Sequence, residues 1–506
     1  MRVVEKFLDR LSVFSCFMFT VYFVLHEFNA NYGLISSSLL LALLAKYLII
    51  EVAIFFLWIL IFRNYKRAIL LTFITIFWYF FFGAIHDRIK ANIAAGFFRS
   101  HTFLYLLIAT FILAVILFIR RRQFIASCVK YLTVFSALLF LWEFGHLFVN
   151  IIMRNERKNN LVYPIPLTKS EMSINVKPDI FYIVLDSYAG FGTLSEDFGY
   201  HDPVFESFLK EKNFYVADKS ISNYPLTPFS VASTLSMQYL DLSQDTLTSV
   251  SAKDMLRATI AVSYAIVPPL LAANQYKIYN YSIFDFKQFP ALNKNYFGSI
   301  AKRLIDEQTI EGRFKKYLLW KFSAPATKKW RSSYIHEFIN SNFNGLVTAA
   351  NLSDTSARFV YCHVMLPHEP YFFKANGDLW SDSSKYDKRH PKKRFIEQTT
   401  YTNRRLIEII NVIMKSRTKP YVIILQGDHG FRDFESINER QKIFQNLSAF
   451  YFSDKDYRLL YNSISNVNTF RVIFNKYLNT RYPLLADSAV YLRDTSFNFE
   501  HAGMIR

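Results

Sequence analysis

Ile180-Phe181-Tyr182-Ile183-Val184-Leu185-Asp186 is a short, continuous apolar run that ends on a carboxylate, and its reading decides the fold of the second part of the chain. A strand without polar alternation is buried on both faces, the habit of a parallel sheet covered by helices. Tyr421-Val422-Ile423-Ile424-Leu425 repeats the pattern and leads into Asp428-His429-Gly430. Further strand-like runs at Phe214 to Ala217, Tyr276 to Tyr281, Phe359 to Met365 and Ala449 to Phe452 are separated by helical patterns, among them Pro203 to Lys212, Phe229 to Tyr239 and Phe395 to Lys415. This alternation predicts an α/β sandwich around a largely parallel central sheet. The stretch from Asn293 to Asn342, rich in Lys, Arg and aromatics, reads as a helical insertion.

Ligands of such sheets collect beyond the strand ends, where Asp186 and Asp428-His429 fall. Between them in sequence lies Asn223-Tyr224-Pro225-Leu226-Thr227-Pro228-Phe229-Ser230. Thr227 reads as the N-cap of a helix with proline at its first position, which leaves free N–H groups at a tip that favours an anion. A threonine hydroxyl is a weak nucleophile and needs a base or a metal to become an alkoxide. Asp186, Asp428 and His429, with the Thr227 oxygen, form an O/N donor set suited to Zn or Mn. Each signal has an ordinary reading: a strand-end Asp makes turns, and Thr-Pro starts helices. Their combination in an α/β order argues for a site.

Cys362-His363-Val364-Met365-Leu366-Pro367-His368-Glu369-Pro370-Tyr371 is another apolar strand running into a histidine between prolines. His368 is a candidate to bind a substrate phosphate, to protonate a leaving oxygen, or to hold a second metal. His363, inside the strand, reads as a core histidine or one that supports a ligand from behind. Arg432 is a candidate bidentate clamp on a phosphate, with a solvated loop arginine as the alternative.

The front of the chain is different. Of 506 residues 52% are hydrophobic, with 52 Phe and 32 Tyr, too apolar for an ordinary soluble enzyme. The excess sits in five stretches, Leu11 to Phe28, Leu39 to Phe62, Ala68 to Ile85, Thr102 to Ile119 and Tyr131 to Ile152, each about the roughly 20 residues needed to span hydrocarbon. Lys46 and Glu51 interrupt the second, which leaves open a shorter span preceded by an interfacial helix. Arg2, Lys6 and Arg10 precede the first span, Arg63, Lys66 and Arg67 follow the second, and Arg120, Arg121 and Arg122 follow the fourth. These sites belong on the cytoplasmic side; Arg88, Lys90 and Arg99 in the second outer loop run against the trend. Five spans that start inside deliver everything after Ile152 outside, with Arg154, Arg157 and Lys158 at the headgroups. Glu27-Phe28-Asn29 after the first span offers no small-residue cleavage pattern, so that span reads as retained.

The expected organisation is a transmembrane domain over 1–153, a proline-punctuated linker over 154–178 and an extracytoplasmic domain over 179–506. Of Cys16, Cys128 and Cys362 only the last lies in the outer domain, which therefore holds no internal disulfide and depends on its core. The formal charge of +19 fits loops at an anionic membrane or a groove for an anionic substrate. Nucleic acid is not an expected partner of a domain tethered outside the membrane.

Five N-terminal spans followed by this constellation resemble the membrane-anchored sulfatase-like branch of the alkaline phosphatase superfamily, whose members include lipoteichoic acid synthases and phosphoethanolamine transferases. The resemblance implies an alkaline phosphatase-like fold. It matches Asp186 to the metal-binding acid after the first strand, Thr227 and Ser230 to the transferases' Thr followed three residues later by Ser, Asp428 and His429 to the late metal-binding pair, and His368 to a substrate-side His in a His-x-Pro setting. Asp186 departs from the Glu of many membrane members. Sulfatases mature a Cys or Ser within Cys/Ser-x-Pro-x-Arg to formylglycine; Thr227-Pro228-Phe229-Ser230-Val231 has neither that residue nor the arginine, and Thr cannot give the aldehyde. What the resemblance implies is metal-dependent transfer of a phospho-substituent, of phosphoethanolamine or glycerol phosphate type, from a lipid donor to an envelope glycan or lipid acceptor through phospho-Thr227. A membrane-bound sulfatase-like hydrolase, acting on phosphodiester or sulfate ester, is the alternative. Retention of Asp186, Thr227, Asp428 and His429 together argues against a non-catalytic module.

Overall fold

The structure is a computed structural model that describes residues 11–93, 96–98, 100–119, 125–153, 160–162, 177–242, 249–293, 299–315, 324–353, 356–380, 391–432 and 441–494. Most of the expected linker, and Arg2, Lys6, Arg10, Arg99, Arg120, Arg121, Arg122, Arg154, Arg157 and Lys158, lie outside the described residues. The chain forms two compact units, one of residues 1–159 with 298–324, the other of residues 160–297 with 325–506. Residues 298–324, read from sequence as part of the outer domain, thus group with the N-terminal helices.

The first unit is built on five apolar helices, α1 (Ser15–Ala30), α2 (Ser37–Phe62), α3 (Tyr65–Asn92), α4 (His101–Ile119) and α5 (Ile125–Met153). Ser36 caps α2 through the Leu39 N–H at 3.2 Å and Asn64 caps α3 through the Arg67 N–H at 3.1 Å, so polar residues set both starts. Phe23 and Phe80 stack at 4.2 Å between ring centroids inside the bundle. Leu41, Ile49, Phe56, Leu60, Leu138 and Trp142 point outward and are exposed, an apolar girdle that water would not tolerate and lipid does. Helices α2 to α5 are each long and apolar enough to cross a membrane, and the chain is an integral membrane protein. Lys46 and Glu51 do not divide the second span: Ser37–Phe62 is one helix, with Glu51 buried against its neighbours. The same unit holds two short helices, α11 (Ile300–Asp306) and α12 (Ile310–Phe314).

The second unit is an α/β sandwich. Its sheet has the order β2-β7-β6-β1-β5-β4, from β1 (Asp179–Leu185), β2 (Tyr215–Val216), β4 (Lys277–Tyr281), β5 (Arg358–Val364), β6 (Tyr421–Gly427) and β7 (Ser448–Phe452). β1 is central and parallel to both β5 and β6; β7 alone runs against them. β3 (Ser249–Val250) and β8 (Arg493–Asp494) form a separate parallel pair. The alternation of β1 divides the core: Ile180, Tyr182 and Val184 face a cluster with α8 (Thr227–Ser236), α9 (Ala252–Ser263), α10 (Val267–Ala273) and α15 (Thr469–Tyr477). Phe181, Ile183 and Leu185 face the opposite cluster, with α7 (Pro203–Glu211), α13 (Ala324–Asn351) and α14 (Pro391–Ser416). All seven residues of β1, β5 and β6 are buried, as strands covered on both faces must be. The Ala252–Ala273 stretch is apolar enough for a span, yet it breaks into two helices whose Val262, Val267 and Leu271 are buried in the sheet-facing core. α6 (Phe191–Phe198) completes the numbering.

Candidate metal centre and nucleophile

Register builds the site. Leu185 on β1 stands level with Val364 on β5 and Gly427 on β6, so the residues that follow leave the sheet together at one edge. The Asp186 N–H still donates to Val364 O at 3.0 Å and the Asp428 N–H to Leu185 O at 3.3 Å. Two carboxylates therefore emerge side by side from adjacent strands, before either chain has turned away.

The turn after β1 shapes the rest. Ser187 adopts φ of +63°, a left-handed conformation uncommon outside glycine, and this turns its N–H onto Asp428 Oδ1 at 2.9 Å. The His429 N–H reaches the same oxygen at 2.9 Å. Asp428 Oδ2 is buried and has no hydrogen-bond partner, and the same holds for His363 Nε2. A buried carboxylate oxygen left bare is costly, unless a cation takes it.

His429 is fully buried, and its Nδ1 donates to Gly430 O at 2.8 Å. A carbonyl only accepts, so the proton sits on Nδ1 and the Nε2 lone pair faces Asp186 Oδ1 at 3.8 Å and Asp428 Oδ2 at 3.5 Å. Burial pushes the imidazole down to about 4, outweighing the neighbouring carboxylates that favour its cation. Burial alone would raise the Asp186 carboxyl, but the imidazoles of His368, His363 and His429 beside it hold it well below the usual range. Both groups are thus in ligand form at neutral pH. Gly430 allows the close turn: a Cβ there would lie 2.3 Å from Gln445 O.

Thr227 is brought to the same place, its Oγ1 3.4 Å from His429 Nε2 and its side chain partly exposed. It is not the N-cap. Leu226 holds that place in an extended conformation, the helix begins at Thr227 with Pro228 behind it, and no side chain caps the end. The Phe229 and Ser230 N–H groups both turn back to Leu226 O at 3.0 Å, so the tip offers fewer free donors than expected. The hydroxyl, unused as a cap, is available to the site. Ser230 ties the helix to the strand end by donating to Asp428 O at 2.5 Å.

The separations suit one cation. Ligand atoms about 2.1 Å from a tetrahedral ion lie roughly 3.4 Å from one another, and His429 Nε2 is 3.4 Å from Thr227 Oγ1, 3.5 Å from Asp428 Oδ2 and 3.8 Å from Asp186 Oδ1. His363 was not expected among them. Its Nε2 lies 3.7 Å from Asp186 Oδ2, and the donor atoms of Asp186, His363 and Asp428 all fall within 4.8 Å of one another. Its only trace in sequence is a histidine in an apolar strand, one residue before the strand's end and on the face that carries Phe359 and Tyr361, a pattern a core histidine shares. Ser187, which orients Asp428 through its main chain, gave no sequence signal at all.

His368 and Arg432 pair with each other, Arg432 Nη2 donating to His368 Nε2 at 2.7 Å while His368 Nδ1 meets Glu369 O. Together with Ser187, Glu369, Tyr371, Phe395 and Phe431 they line a shallow cleft.

Neither a protein-family model nor any curated protein sequence matches the chain. Among solved structures it is similar to the integral membrane lipooligosaccharide phosphoethanolamine transferase EptA from Neisseria meningitidis, at 10% identity over 96% of each chain with a TM-score of 0.37. The C-terminal periplasmic domain of phosphoethanolamine transferase EptC from Campylobacter jejuni matches at 13% identity, covering 62% of this chain and 92% of that one, TM-score 0.36. The corresponding EptC domain from Escherichia coli, in complex with Zn, matches at 11% identity over 62% and 86%, TM-score 0.36. The site itself, and not likeness this distant, carries the functional argument.

Proposed function

We propose that the chain is a membrane-embedded, metal-dependent phosphotransferase whose nucleophile is Thr227. The observation that carries the reading is that His429 Nε2 stands within 3.8 Å of the Thr227 hydroxyl, of Asp186 and of the bare Asp428 Oδ2 at the ends of the central strands. Asp186, Asp428, His429 and Thr227 are the residues to hold a divalent cation, Zn or Mn, with His363 at hand beside Asp186. Such an ion acidifies a bound hydroxyl and neutralises charge on a phosphoryl oxygen. Thr227 Oγ1 then forms a bond to the phosphorus of a phosphodiester headgroup and the bond from phosphorus to the lipid alcohol breaks. Once Arg432 leaves His368 Nε2 for the non-bridging oxygens, that nitrogen takes a proton from solvent and passes it to the departing alcohol oxygen, while the Thr227 proton goes to solvent. The phospho-Thr227 ester is resolved by an acceptor hydroxyl of an envelope glycan or lipid. Water as acceptor would make the same site a hydrolase; the absence of a cysteine or serine at position 227 disfavours sulfatase chemistry through formylglycine.

In this reading five spans start in the cytoplasm and the site-bearing domain follows a linker over 154–178 on the outer side, where lipid headgroups and envelope acceptors are met; the basic loops after the second and fourth spans support it. Incubation with headgroup-labelled phospholipids tests the reading. The expected result is a phospho-substituent mass on Thr227 and labelled product, with Thr227→Ala folded, inserted and at least 1,000-fold slower, on the order of the loss when a covalent nucleophile is removed. Unchanged turnover in that variant ends the proposal.

A further inference from the structure

Residues 299–315 come from the middle of the sequence of the α/β unit, yet they belong to the helical one. Their docking is specific at both main-chain and side-chain level. The Gly83 N–H, in the middle of α3, donates to Gln308 O at 2.8 Å. A Cβ on Gly83 would lie 2.4 Å from Glu307 O and 2.7 Å from Gln308 Cα, so the glycine is what lets the two backbones touch.

Around that contact Lys46 and Tyr47 of α2 and Tyr79 and Asp87 of α3 find partners in the segment. Lys46 Nζ lies 3.0 Å from Asp306 Oδ1 and 3.1 Å from Glu311 Oε2. Tyr47 donates to Asp306 at 2.8 Å and Tyr79 to Glu311 at 2.7 Å. Arg313 grips Asp87 with two nitrogens, at 2.8 and 2.5 Å, the bidentate geometry that gives an arginine pair direction. Polar groups on a membrane helix are costly unless paired; here the partners are supplied by chain more than 200 positions away. All these contacts fall in the first half of α2 and the second half of α3, which is one end of the helix pair. At about 1.5 Å per residue the two helices reach about 40 Å, roughly 10 Å beyond the hydrocarbon layer, and the contacts run from Asp87 near the end of α3 inward to Tyr79 near its middle. The end they occupy is opposite Arg63, Lys66 and Arg67, hence the outer one by charge.

We propose that residues 299–315 are a membrane anchor of the α/β domain, an intramolecular plug that fastens its chain to α2 and α3 independently of the 154–178 linker. The inference does not rest on the catalytic reading. The full chain, carrying an N-terminal tag and a protease recognition sequence inserted between Leu167 and Thr168, is purified in mild detergent, cut to completion and captured by the tag. The cut α/β fragment is expected to stay with the helices. It is expected to be lost from them in Gly83→Leu and in Arg313→Asp, and to return when Arg313→Asp is combined with Asp87→Arg, a rescue that a misfolded variant would not give. Separation of the wild-type fragments after cutting overturns the proposal. So does retention in both single variants, or failure of the reversed pair to rejoin.

Discussion

Asp428 gives its two oxygens different tasks: Oδ1 takes the N–H groups of Ser187 and His429, while Oδ2 is held without a hydrogen bond 3.5 Å from His429 Nε2. The division makes a sharp prediction. Asp428→Asn keeps an acceptor for both N–H groups and removes the charge, so the protein should fold with its melting temperature little changed and, after loading with Zn or Mn, retain less of the proposed cation than the wild type by elemental analysis. Asp428→Leu orphans both donors and should cost about 1–3 kcal/mol for each. The His429 imidazole sets the pH range of retention. Burial favours its neutral form and lowers its pKa from the ordinary 6.5 to about 4, so protons compete with the metal only as the pH nears 4. Metal content after dialysis should hold from pH 7 to about 5.5; loss centred at the ordinary histidine pKa would contradict this site. At this scale Asp186, Asp428, His429 and Thr227 were legible because acids and hydroxyls at strand and helix ends are conspicuous. His363 was not, since a single histidine in an apolar strand looks the same whether its Nε2 meets a carbonyl or, as here, two carboxylates.

Elements place these residues through level strand ends and a tight loop. Gly430→Ala tests the loop: its added methyl would press on Gln445 O at 2.3 Å, displacing the His429 support without touching a ligand. Overpacking of this kind costs about 1–3 kcal/mol, and activity should fall along with the melting temperature while Ala substitutions elsewhere on the loop do not reproduce it. Strands and major helices were readable to within a few residues because a parallel sheet buried on both faces demands continuous apolar runs. β2, expected over Phe214 to Ala217, keeps only Tyr215–Val216 as a strand, and the helix expected from Phe229 starts two residues earlier at Thr227. Less readable were α9 and α10, whose apolar faces belong to the sheet although their composition suits a membrane. The docking of 299–315 was unreadable, because the information lies in pairs such as Asp87 and Arg313 that share no local pattern.

For the whole molecule, the division into units cuts across the division of the sequence. A fragment of residues 177–506 would carry Ile305, Thr309 and Arg313, all buried within the helical unit, with nothing to cover them. It should co-sediment with phospholipid vesicles, and deletion of 299–315 should abolish that binding while the α/β unit keeps its cooperative melt. The sheet needs none of those residues: its two core clusters close without them. Because Gly83 and Lys46 are synthesised long before Gln308 and Asp306, the helices are delivered to the bilayer with their polar partners not yet made. Biogenesis must therefore carry a half-assembled helix pair until the chain has been synthesised as far as Gln308 and Arg313, an interval in which insertion machinery or a chaperone would be the natural guardian of those vacant polar positions.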